Sequence, residues 1–148
     1  MSRCTLPLLL VLVLALFSTP ARALETDFAF DQSLGMPFSE VKKDIPRDWK
    51  RIKSGDEFIK YRYRDFLITF RTSPAEGINA VFVETDRVPD KQTLARMEQA
   101  QVQKLARAGY RWNSDEGLYA KGSCRASVFT SEYRDSYIYR ESYELHYE

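Results

Sequence analysis

Imidazole and thiol chemistry in this 148-residue chain rest on one histidine, His146, and two cysteines, Cys4 and Cys124. A Ser-His-Asp or Cys-His site needs the ring held by a partner and turned toward a nucleophile. His146 stands close to the chain end on an alternating stretch, and the sequence contains no Gly-x-Ser-x-Gly elbow. Zinc centres need closely spaced His and Cys ligands, whereas Cys124 and His146 are 22 residues apart. No EF-hand loop or phosphate-cradling glycine loop occurs either. The expectation is no catalytic residue, no metal site and no cofactor. Carboxylates remain as candidates. Asp56-Glu57 and Asp115-Glu116 fall in turn-like stretches, where acids serve solubility and turn formation. Glu141 alternates with tyrosines, so burial would raise its pKa. Either an arginine or a tyrosine hydroxyl holds it structurally, or it works with a second carboxylate on a glycan.

Two surfaces have the residue types of a binding site. Lys60, Arg62 and Arg64 alternate with Ile59, Tyr61 and Tyr63 and so project from one face of a strand, with Arg51 and Lys53 on the strand before. Such a cationic row suits an acidic protein, an anionic headgroup or a polyanionic envelope polymer. It also suits the solvated face of a sheet, where charge discourages edge aggregation. Tyr137, Tyr139, Tyr143 and Tyr147 form either an interaction platform or a core-facing row covered by helices, since Leu145 shares their face.

The elements that must position these residues read as α+β. Phe38, Val41 and Ile45 are spaced for one side of a short helix that Pro46 ends. Strands follow from Trp49 to Lys53, through Ile59 to Tyr63, and, after a reversal at Arg64-Asp65, from Phe66 to Thr72. After a turn at 74–77, Ala80-Val81-Phe82-Val83 is apolar on both faces, as an interior strand requires. Asp90 is placed to cap a longer helix with Leu94, Met97, Val102 and Leu105 as its buried stripe and Gly109 as its stop. Strands resume at Tyr110 to Trp112, Leu118 to Lys121, Cys124 to Ser131 and Tyr137 to Tyr147. Cys124, Ala126 and Val128 share a face, which predicts a sheltered thiol.

Arg3, an apolar run from Leu6 to Phe17 and Ala21-Arg22-Ala23 have the form of a cleavable export signal, with cleavage after Ala23. The run is too short to span a bilayer. The remaining 24–148 is expected to be one periplasmic or secreted domain with no membrane span. Losing Arg3 and Arg22 leaves 20 basic against 21 acidic residues, a balance that argues against a nucleic-acid partner.

Element order occurs twice. Val41-Lys42-Lys43 matches Val102-Gln103-Lys104, Trp49 matches Tyr110, and 54–57 matches 114–117, at separations of 61, 61 and 60 residues. This predicts a tandem helix-plus-meander duplication of 34–86 and 90–148. Leu34-Gly35-Met36 with Val41, opening a short helix before an antiparallel meander, resembles the fold shared by the small subunit of the outer-membrane barrel-assembly machinery and the tandem-repeat β-lactamase inhibitor protein. The resemblance implies a sheet with two helices on one face that binds proteins and carries out no catalysis. This chain departs from both: it lacks a lipoprotein cysteine after the apolar run, and Cys124 alone cannot form an internal disulfide. The function expected is an exported protein-binding module, in envelope assembly or inhibition of another protein. The alternatives are a small carboxylate-dependent cell-wall glycan hydrolase and a binder of a small amphipathic ligand.

Overall fold

Strands apolar on both faces bury both only inside a sheet, and the run from Ala80 to Val83 lies in such a strand. The computed structural model describes Leu24 and residues 26–85, 88, 90–134 and 136–147, except for the side chain of Tyr133; the expected export segment, 1–23, lies outside them. A 3-10 turn at Asp31–Ser33 precedes helix α1 (Phe38–Val41) and strands β1 (Lys50–Ser54), β2 (Phe58–Tyr63), β3 (Phe66–Ser73) and β4 (Gly77–Thr85). Helix α2 (Lys91–Arg107) leads to β5 (Arg111–Asn113), β6 (Leu118–Lys121), β7 (Cys124–Tyr133) and β8 (Ser136–Leu145). The fold is α+β and dominated by one antiparallel sheet of eight strands in the order β1-β2-β3-β4-β8-β7-β6-β5. Two meanders therefore meet through β4 and β8, with Val81 opposite Tyr143 and Val83 opposite Glu141. Among the described residues no helix is long and apolar enough to cross a membrane.

One face of the sheet holds the core. Tyr61, Ile68, Phe70, Val81, Val83, Ala126, Tyr139 and Tyr143 are all buried there. Phe38 of α1 reaches the Phe70 ring, 5.9 Å between centroids, and α2 lies against β7 and β8. The segment after Leu24 crosses this face. Phe28 and Phe30 enter an aromatic cluster, with Phe30 5.5 Å from Tyr143 and 6.1 Å from Trp49 between ring centroids.

The ends of α2 follow from its sequence. The Asp90 carboxylate accepts from the Thr93 backbone N–H at 2.7 Å and from its hydroxyl at 3.0 Å, and these bonds hold Asp90 below the usual carboxylate range. At the other end Gly109 takes a φ of 89°. Its N–H bonds the Ala106 carbonyl and the Tyr110 N–H bonds that of Leu105, which is the Schellman arrangement. The buried row is Thr93, Met97, Gln101 and Leu105, with Leu94 and Val102 only half-buried. Gln101 replaces an apolar residue because it has a buried partner on β8. Helix α1 stops at Val41, earlier than its apolar spacing suggests. The next N–H groups close tighter three-residue turns, Lys43 to Glu40 and Asp44 to Val41, as the chain approaches Pro46, which disfavours helical geometry in the residue before it.

Gly35 and Met36 add a short ladder to the start of β4: the Gly35 N–H donates to the Ile78 carbonyl at 2.7 Å, and the Ile78 N–H donates to Met36 at 2.9 Å. Gly77 makes this approach possible. At its φ of 70° a Cβ would stand 2.5 Å from the Met36 carbonyl oxygen. Gly122 has a φ of 56° with open space where its Cβ would go. Chemical denaturation should therefore show Gly77→Ala destabilised by about 3 kcal/mol and Gly122→Ala by about 1 kcal/mol.

Candidate functional site

The pairing register sorts the five cationic candidates. Lys60 and Arg62 lie on the exposed face of β2, on the opposite side from Tyr61. Lys53 stands opposite Lys60 and joins them. Arg51 does not: it pairs with Tyr61, so its side chain takes the core-side face, where its charge partly offsets the rise that burial causes in the Tyr61 pKa. A bulge between Arg51 and Lys53 shifts the alternation by one residue, and Lys50, opposite Arg62, occupies the position expected for Arg51. Arg64 also leaves the row. It sits in the β2–β3 turn at a φ of 52°, with its guanidinium over the Tyr63 ring, 5.0 Å from the centroid.

The exposed face thus carries two directly opposed like-charge pairs, Lys50 with Arg62 and Lys53 with Lys60. Cross-strand pairs of this kind lower sheet stability. The next residues across on β3 are Leu67 and Thr69, neither of them charged. Beyond them Glu84 makes an ion pair with Arg140 of β8, and the Ser127 and Ser142 hydroxyls share a hydrogen bond of 2.8 Å. Phe129 lies on the same face, 55% exposed, so the row runs from cationic at β1 and β2 to mixed and partly apolar at β7.

On the core side the tyrosine row of β8 surrounds Glu141, which is 2% exposed. The Tyr139 hydroxyl donates to one carboxylate oxygen at 2.8 Å and the Tyr143 hydroxyl to the other at 3.2 Å. Gln101 Nε2 donates to the Tyr143 hydroxyl at 2.5 Å. Of the partners foreseen for Glu141, tyrosine hydroxyls are the ones found. Burial pushes its pKa up, while Tyr139, Lys104 and Tyr143 pull it down. Above the network is a cavity of about 100 Å³ lined by Leu24, Met97, Gln101, Lys104, Tyr139 and Glu141, among others. Among the described lining residues Glu141 is the sole carboxylate.

Larger clefts flank the segment 26–32. One, of about 640 Å³, is lined by Phe28, Trp49 and Tyr63 together with Asp27, Asp44 and Asp48. The other, of about 440 Å³, is lined by Phe30, Lys104, Tyr110 and Lys121. The Tyr110 hydroxyl is buried there with Asp31 and Cys124 as its polar neighbours, and burial, together with both of them, pushes its pKa up. Cys124 and Val128 are half-buried against the core and Ala126 is fully buried, while His146 is exposed just past β8. Sequence reasoning missed Phe28, Phe30 and Gln101. The first two signal themselves only as a period-two apolar pair, and a glutamine on a helix stripe gives no sign of its partner.

No family model, curated protein or solved structure matches the chain.

Tyr143→Phe deprives Gln101 of its acceptor and Glu141 of a donor, so urea unfolding should show a loss of about 1 to 3 kcal/mol. Burial and the Glu141 charge raise the Tyr139 and Tyr143 pKa values. The folded state then holds protons that the unfolded state releases above about pH 10, and stability falls as pH rises past that point. Ultraviolet titration should show these two phenols ionising only together with unfolding, and the Tyr143→Phe variant should show a shallower alkaline slope.

Proposed function

We propose that the protein is an exported, non-catalytic binding module that meets an acidic protein surface across the exposed face of its sheet. The observation that carries this reading is the direct opposition of Lys53 and Lys60 across β1 and β2, with Lys50 and Arg62 opposite each other on the same face. An anionic partner converts their repulsion into attraction and steers encounter. On this reading the site comprises Lys60, Arg62 and Lys53 with Lys50 added, while Arg51 and Arg64 stand outside it. Its setting is the periplasm or the extracellular space, in envelope assembly or the inhibition of another protein, as the export-type leader and the resemblance to the barrel-assembly and lactamase-inhibitor fold suggest. The same reading takes 34–86 and 90–148 as tandem repeats whose helices share the core side. The arrangement of the two meanders about β4 and β8 supports it.

Against the glycan-hydrolase alternative, both Glu141 oxygens already accept tyrosine hydroxyls, and glycosidic cleavage needs a second carboxylate across a substrate. The small-ligand reading has one observation in its favour: the cleft of about 440 Å³ combines the apolar Phe30 and Leu105 with the polar Lys104, Tyr110 and Lys121 in its lining.

Replacing Lys50, Lys53, Lys60 and Arg62 together with glutamine should abolish capture of acidic proteins from a periplasmic extract while leaving the unfolding transition within about 1 kcal/mol. Native capture should weaken as salt passes about 0.15 M, where screening shortens electrostatic reach to about 8 Å. Capture unaffected by either change would refute the sheet-face site.

A further inference from the structure

The buried Glu141 carboxylate lies beside the residue at which the expected processing would start the mature chain. Leu24 is 9% exposed and lines the same cavity of about 100 Å³ as Glu141, Gln101 and Lys104. A carboxylate offers about four lone-pair positions, and the tyrosine hydroxyls account for two. The cavity holds far more than the roughly 10 to 15 Å³ that one water-sized group requires. Lys104 does not fill the place: its ammonium stands over the Phe30 ring, 5.7 Å from the centroid.

We propose that this cavity is a site for a primary ammonium, and that its occupant is the α-ammonium of Leu24 created when the export segment is removed. The inference rests on cleavage after Ala23. Hydrolysis of the Ala23–Leu24 bond by a signal peptidase consumes one water, leaves a carboxylate on Ala23, which departs with the leader, and an ammonium on Leu24. An α-amine with its ordinary pKa of about 7.7 to 8.0 is protonated at neutral pH. A charge brought against a buried cluster is costly to hold unless paired, and Glu141 is the carboxylate among the described residues lining the same cavity. The uncut chain has an amide at that position and cannot form the pair. Cleavage therefore pins the start of a segment that carries Phe28 and Phe30 into the aromatic cluster over the sheet, and the mature fold is tighter than the precursor's.

The groups facing the pair are Tyr139 and Tyr143 from β8, Gln101 and Lys104 from α2, and the apolar Val83 and Val128 opposite Glu141 on β4 and β7. Glu98 adds negative charge near Tyr139, and Tyr110 lies near Tyr143. Pairing raises the amine's pKa, so its stabilisation is lost as pH rises through the raised value, and it is lost again in acid as Glu141, whose pKa burial raises, takes up a proton.

The test uses the protein exported through its own leader and labelled with ¹⁵N. Mass spectrometry should give Leu24 as the first residue, and nuclear magnetic resonance should find its amine titrating at least about one pH unit above the ordinary range. Glu141→Gln should return the amine to that range. Inserting one glycine between Ala23 and Leu24 displaces the amine by about 3.5 Å; it should lower the Tm of the native protein by several degrees and leave that of the Glu141→Gln protein unchanged. A chain that starts elsewhere overturns both the cleavage site and the pairing. A Leu24 start with an ordinary amine overturns the pairing alone, and that titration decides even where the Glu141→Gln variant fails to fold.

Discussion

The antiparallel pairing of β4 with β8 is the interaction on which the rest depends. A four-stranded meander ending at β4 would present a strand with apolar residues on both faces as a free edge, an invitation to mispairing. Joined to β8, that strand becomes central, and Val81 and Val83 come opposite Tyr143 and Glu141. The seam between the halves is therefore where the polar cluster lies buried. It is also where the N-terminal segment crosses, because Phe30 packs on Trp49 of the first half and Tyr143 of the second.

What the sequence made legible was local. The capping carboxylate of Asp90, the Gly109 stop, the interior character of Ala80 to Val83 and the core-facing side of Tyr139 and Tyr143 all follow from side-chain period and terminal chemistry within a few residues, whereas Tyr147, expected in the same row, lies exposed beyond the end of β8. The tyrosine partners of Glu141 were legible for the same reason, since they sit two residues away on either side. The cationic row was only half readable. Alternation placed Lys60 and Arg62 correctly, but the bulge at Ile52 exchanged Arg51 for Lys50, and the left-handed turn at Arg64 removed that residue. Neither irregularity has a composition signal, because each depends on which strand lies opposite. Nor did any local pattern indicate that Gln101 would meet Tyr143, 42 residues further along the chain.

That hydrogen bond sets the position of α2. Met97 and Leu105 bury apolar surface, and apolar contact tolerates small slides of a helix over a sheet because it is not directional. A buried amide bonded to a phenol that is itself bonded to a carboxylate tolerates much less, since displacement leaves several polar groups without partners at once. The cluster thus fixes the helix in rotation and translation above β8, while the aromatic rings supply most of the apolar burial nearby.

The bulge in β1 does more than reorder two side chains. An outermost strand can normally recruit another strand through its unpaired N–H and C=O groups, and proteins that bind extended peptides often use such an edge. A bulge twists those groups out of line, and lysines and arginines along the rim repel a second copy of the same strand. At the far rim β5 is only three residues long, too short to template much pairing. With both rims blunted, the sheet is protected from growing sideways into fibres.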